Sequence, residues 1–181
     1  MRRIACLLAL CVLPALAEAA PPTPDMCQDA PPPPEPWTSW MQSGTAIAGG
    51  VPHSAPRLIL GKPVVATLRP SVQVQYAVQP EKQRPKSHGG LFTLAVKTPA
   101  RVGIGLSGPA WVDIVMDRQP VESVGDDHGP ECSAIEKIVW FDLPAGVHLI
   151  QIADSPAREL RVMAADALAN RPLPPAPEPE F

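Results

Sequence analysis

The sequence predicts an all-β protein: an antiparallel β-sandwich, jelly-roll-like, with about eight strands and disordered proline-rich ends. Three observations carry this. Apolar and polar residues alternate with period two in several short runs between residues 58 and 165. Gly, Pro and Asp punctuate those runs at short intervals. No stretch in that region sustains a helical period.

Residues 1–19 read as a secretory signal peptide. Arg2 and Arg3 precede an apolar run from Ile4 to Leu16, and Ala17-Glu18-Ala19 offers small residues at cleavage spacing. The run is too short to span a membrane, and no later stretch reaches the necessary length, so no membrane span is expected after cleavage. The expected location is periplasmic or secreted. Cleavage after Ala19 lowers the basic residues from 15 to 13 and the acidic ones from 18 to 17, leaving −4 in place of −3. A chain this close to neutral has no basic stripe for nucleic acid. Of four cysteines, Cys27 and Cys132 remain, and an exported chain with two cysteines most simply pairs them. Closing a loop of roughly 100 residues gives about 4.7 kcal/mol in chain-entropy terms.

Residues 20–57 read as a linker and docking arm. Eight prolines between Ala20 and Pro36 favour a polyproline-like chain that cannot join a sheet. Trp37 and Trp40, three apart, suit a short turn docking on the domain, with an exposed sticky arm as the alternative reading. The stretch 43–55, with Gly44, Gly49, Gly50 and Pro52, reads as loop.

The sandwich domain is expected over 58–165, enough chain for one core. Pro63 to Arg69 is the first strand. Ser71 to Val78 alternates Val72, Val74, Tyr76 and Val78 against Gln73, Gln75 and Ala77, and reads as the second. Gly90 to Thr98 sets Phe92, Leu94 and Val96 on one face. Arg101 to Ser107 points Val102, Ile104 and Leu106 inward with Gly103 and Gly105 between them. Trp111 to Asp117 sets Val112, Ile114 and Met116 against a polar face with Asp113 and Asp117. Ile135 to Leu143 presents Val139, Phe141 and Leu143. Val147 to Ala153 places His148, Ile150 and Ile152 opposite Val147, Leu149 and Gln151, and Glu159 to Met163 closes the set. One helical turn is expected over 164–170, and residues 166–181 form a proline-rich tail.

Two polar loops hold the residues that could do chemistry. Gly125 to Cys132 carries Asp126, Asp127, His128, Glu131 and Cys132. Ser87-His88-Gly89-Gly90 opens directly onto a strand. The binding candidates are His88, Gly89, Gly90, Asp127, His128 and Glu131. Glycine lets a backbone approach a ligand without side-chain interference. His88, His128 and Asp127 would supply two imidazoles and a carboxylate, a ligand set for non-haem iron; zinc and copper are further candidates. The competing reading is that both histidines are ordinary turn residues beside glycines. Lys82, Arg84 and Lys86 read as a solvated basic turn. There is no Gly-x-Ser-x-Gly elbow, and no catalytic residue is assigned.

The order of strands, with Trp111-Val112-Asp113-Ile114-Val115 and the closing run Phe141 to Ile152, resembles the pre-peptidase C-terminal domain, a secreted β-sandwich. His148 stands where that family usually has an aromatic. A second resemblance rests on Tyr76 to Lys82 (Tyr-x-Val-Gln-Pro-Glu-Lys), Ser87 to Gly90, and His128 to Cys132 followed by Lys137. These motifs are similar to those of a group of short exported bacterial proteins that often carry the label homogentisate 1,2-dioxygenase. The first resemblance implies a secreted β-sandwich; the expected function is non-catalytic binding or accessory work through the His88 and His128 loops, with an unknown protein or an envelope ligand as partner and no cofactor. The second implies the alternative, a metal-dependent oxygenase using non-haem iron.

Overall fold

A computed structural model describes residues 27, 29–42 and 44–168. The expected signal peptide, residues 20–26 and the tail from residue 169 lie outside the described residues. The chain divides into two units, Met1–Ala30 and Pro31–Phe181. In the first, Cys27, Asp29 and Ala30 are described, and Cys27 is disulfide-bonded. Cys132 of the second is disulfide-bonded as well, in line with the expected pairing. No helix among the described residues is long and apolar enough to cross a membrane.

The second unit is all-β, two sheets packed face to face. Among the described residues the strands are β1 (Thr45–Ile47), β2 (Arg57–Leu58), β3 (Val64–Thr67), β4 (Arg69–Pro70), β5 (His88–Val96), β6 (Ala100–Leu106), β7 (Trp111–Met116), β8 (Gln119–Val121), β9 (Gly125–Asp127), β10 (Lys137–Leu143), β11 (Gly146–Ser155) and β12 (Glu159–Asp166). The first sheet runs β1-β3-β12-β6-β10-β9. The second runs β2-β5-β11-β7-β8, with β4 also on β5. The long strands β5, β6, β7, β10, β11 and β12 alternate between the sheets, except that β7 turns back into β8. Asp117 and Arg118 make that hairpin with left-handed φ of 51° and 64°, the conformation a two-residue turn of the primed type requires.

The core follows from the alternation. Phe92, Leu94, Val102, Ile104, Leu106, Ile114, Phe141, Ile150 and Ile152 are all buried between the sheets. His148 joins them at 2% exposure, with Nε2 on the Pro144 carbonyl at 2.9 Å.

The structure departs from expectation in several places. The described residues hold twelve strands, against about eight expected, because β1, β2, β4, β8 and β9 have only two or three residues, too few to show a period. The sheets are mixed, not purely antiparallel: β1 pairs parallel to β3, and β2 parallel to β5. Both come from the stretch read as linker, so the sheets begin at Thr45, ahead of the expected start at 58. Ser71 to Val78 is not a strand. Ser71–Gln73 is a 3-10 turn after Pro70, and the next residues are held by a side chain. The Gln151 amide accepts from the N–H of Ala77 (2.5 Å) and Val78 (3.2 Å) and donates to the Val78 carbonyl (3.1 Å). These bonds satisfy backbone that would otherwise need a ladder partner. Of the expected helical turn at 164–170, residues 164–166 are the end of β12 and 167–168 a turn, and 169–170 lie outside the described residues.

The outer face of the first sheet is also covered. Trp37 and Trp40 are 3% and 1% exposed and pack with Ile135, Ile138, Met163 and Ala165. Gly103 and Gly105 leave the shallow strip this requires. A Cβ on Gly105 would lie 2.7 Å from the Trp37 ring, and one on Gly103 2.7 Å from the Trp140 ring. Arg161 locks the arm in place, donating to the carbonyls of Trp40 (3.0 Å) and Gln42 (2.7 Å).

Candidate functional site

Register places the starts of three strands on one rim. His88 opens β5 opposite Ser155, Trp111 opens β7 opposite Ala153, and Lys137 opens β10 opposite Leu106, which the short turn 107–110 joins to Trp111. Both histidine segments therefore leave the same rim, but at opposite ends of it.

His128 follows β9, the outer edge of the first sheet. Its loop is internally closed. The exposed imidazole has Nδ1 3.0 Å from the Glu136 carbonyl, and the Gly129 N–H donates to the Ile135 carbonyl at 3.1 Å. Asp127 lies in a strand and accepts from Trp140 Nε1 at 2.8 Å. Glu131 is exposed in the turn before Cys132, which has φ of 60° and is disulfide-bonded. Gly129 leaves no room for a ligand, because Ile135 fills the position its Cβ would take.

His88 and its glycines form the start of β5; they are not a loop. Gly89 and Gly90 serve packing: a Cβ on the first would lie 2.1 Å from Tyr76 Oη, and one on the second 2.2 Å from Ala48 Cβ. His88 is different. Its Nδ1 is buried without a hydrogen-bond partner. The residue lines a pocket of about 400 Å³ with Arg69, Arg158, Gln73, Thr67 and Ile47. Ile47 and Thr67 belong to β1 and β3, at the edge of the first sheet remote from β9.

This geometry bears on the expected metal set. His88 stands on β5 of the second sheet, and His128 follows β9, an edge of the first. Two ligands of one ion need to be within roughly 4 Å. No group of three His, Cys, Asp or Glu able to hold a metal occurs among the described residues, and His88, His128 and Asp127 do not converge.

Between the two histidines lies a pocket of about 190 Å³ that the sequence reading missed, lined by Lys82, Arg84, Pro109, Ala110, Trp111, Lys137 and Asp154. Trp111 is half-buried, and its Nε1–H donates to Asp113 Oδ1 at 2.8 Å. Lys82 Nζ and Lys137 Nζ stand 5.2 and 5.9 Å from the indole centroid. Asp154 sits in a bulge of β11 with φ of 58°, and Arg84 grips it: its backbone N–H and Nε both reach Oδ1 at 2.8 Å, and Nη2 reaches the Asp154 carbonyl at 2.9 Å. That contact holds the Asp154 carboxyl below the usual carboxylate range. Asp113 behaves oppositely. Burial pushes its carboxyl up, and Oδ2 has no partner, so it is not the freely solvated residue expected of a polar face. Burial likewise raises the Tyr76 phenol, whose hydroxyl donates weakly to the Ile152 carbonyl at 3.4 Å. The signal available in sequence was slight: Trp111 and Asp113 share a face by spacing of two, while Lys82 and Lys137 are far apart in the chain.

No protein-family model and no curated protein matches this chain. Fold and site thus define a class only: an all-β sandwich with two pockets on one rim.

Proposed function

We propose that this is an exported, non-catalytic binding domain, periplasmic or secreted, whose ligand is a small carboxylate taken in the His88 pocket. One observation carries the reading: the buried, unpartnered Nδ1 of His88 on the wall of a pocket flanked by two guanidiniums. An unpaired buried polar atom costs about 1–3 kcal/mol, a cost that a ligand can remove. A guanidinium fork matches a carboxylate in plane and spacing, which an ammonium does not. Arg69 already donates Nε to the Ala48 carbonyl at 2.8 Å, so its orientation is set before a ligand arrives. The expected signal peptide and the disulfide-bonded cysteines favour an oxidising compartment. The iron-oxygenase alternative lacks a converging ligand set among the described residues and gains no support here.

The test is an NMR titration of the His88 ring resonances with acetate, succinate and citrate. Binding should shift them, and Arg158→Ala should abolish the shift while His128→Ala retains it. The reading fails if none of these carboxylates moves the ring at millimolar concentration, or if His128→Ala is as damaging as Arg158→Ala.

A further inference from the structure

We infer that the pocket over Trp111 is a second, independent site, one that binds a phosphate group between Lys82 and Lys137. The two ammoniums come from distant parts of the chain, one from the turn after Pro80 and one from the start of β10, and they meet over a single indole. The ring is held by its bond to Asp113, so it is a rigid floor. Carboxylates stand there too: Asp113 holds the indole and Asp154 lines the pocket. Arg84 and Asp154 neutralise each other at 2.8 Å. Neither Lys82 nor Lys137 is within ion-pair distance of a carboxylate among the described residues. Lys137 Nζ donates only to the Ala110 carbonyl, at 3.2 Å. Two ammoniums without an ion-pair partner, converging on one indole at a pocket, mark a place for an anion.

The ring alone does not account for the arrangement. An exposed cation–π contact is worth about 0.5–1 kcal/mol, whereas ordering a lysine side chain costs up to about 2 kcal/mol. Two like charges on one ring also repel. An anion between them reverses that repulsion and adds charge-assisted hydrogen bonds. Lysine offers a compact point charge with rotatable donors, suited to a tetrahedral oxyanion; the guanidinium forks at His88 suit a planar carboxylate. A volume of about 190 Å³ is roughly six waters at about 30 Å³ each, so the pocket admits a single phosphate group with some hydration. The phosphate is either free or carried on a lipid headgroup.

Inorganic phosphate is titrated into the intact protein while the Trp111 indole N–H resonance is followed, and sedimentation is measured with phosphatidylcholine vesicles with and without phosphatidic acid. Phosphate should shift the indole resonance. Lys82→Gln and Lys137→Gln should each weaken binding about tenfold, the loss of one charge-assisted bond, and the double variant should abolish it. Arg158→Ala, which tests the carboxylate pocket, should leave it unchanged, so either proposal can fail without the other. Response to inorganic phosphate alone assigns a soluble ligand. Co-sedimentation that needs phosphatidic acid and both lysines assigns a headgroup. No response in either arm, or a response that survives in the double variant, overturns the inference. Lys82 is exposed, so Lys82→Gln alone remains a fair test if Lys137→Gln does not fold.

Discussion

The loop from Gly125 to Glu136 and the turn from Lys82 to His88 leave the same rim and both carry polar residues, yet they use them differently. In the first, His128, Asp127 and Gly129 bond to Glu136, Trp140 and Ile135, so the polar groups close the loop on itself and on the tryptophan layer. In the second, Lys82 has no carboxylate within ion-pair distance among the described residues, and His88 keeps an unpartnered nitrogen. The density of ionisable residues in sequence pointed to the first loop as the centre of the chemistry. What separates the two is whether local partners already satisfy the groups, and that is a property of the fold.

The largest test of this contrast uses the tryptophans on either side. Trp37→Ala should cost about 3–5 kcal/mol, because a buried indole is lost from a glycine-floored slot with nothing to refill it. Trp111→Ala should cost well under half of that, since its ring is half-exposed. Denaturant melts of both variants decide it: comparable losses would make Trp111 another structural residue and break the contrast.

A smaller effect separates two glycines within the first loop. Gly129→Ala would set a Cβ 2.3 Å from Ile135 Cβ and 2.5 Å from its carbonyl oxygen, so overpacking should cost about 1–3 kcal/mol. Gly125→Ala meets nothing within 4 Å and should be near neutral. Equal midpoints for the two in urea unfolding would show that the loop is less closed than its bonds imply.

Much of the fold was legible because the long strands obey one rule. Phe92, Leu94, Val102, Ile104, Leu106, Phe141, Ile150 and Ile152 alternate, and all are buried. The docking of Trp37 and Trp40 was legible too, and Gly103 and Gly105 were visible in their strand, although nothing local says that two glycines on the outer face await two indoles. Ser71 to Val78 misled because its alternation is real but its partner is the Gln151 side chain, over 70 residues away. The site was legible only at His88. Lys82, Trp111, Lys137 and Asp154 meet through sheet register, and no short-range pattern encodes that meeting. Where the two histidines fall depends on the strand order β3-β12-β6-β10-β9 and on the other sheet, which alternation does not specify.

The smallest expected effect sharpens the contrast through pH. The Asp113 carboxyl is raised above its ordinary value, chiefly by burial, with the Trp111 bond opposing the shift. Between the unfolded value near 3.9 and the higher folded value, the folded state therefore binds more protons than the unfolded one. Its contribution to stability is present in full below the unfolded value and is lost as pH rises through the folded one. Above that folded value the ionised, half-buried carboxylate weakens the fold. Asp142 and Asp154 have the opposite sign: hydrogen bonds from Arg101 and Arg84 hold both low, so their contribution is present above the unfolded value and is lost as pH falls. Asp113→Asn keeps an oxygen for the Trp111 N–H and removes the charge. It should raise stability at pH 7 by less than about 1 kcal/mol, the scale of a partly solvated charge, and the gain should shrink toward pH 4. Urea midpoints of wild type and variant across that range give the answer. A gain that grows on acidification, or a loss at neutral pH, would mean that the carboxylate is needed in its charged form. The indole floor would then owe its position to an ionic contact, not to a neutral-tolerant hydrogen bond.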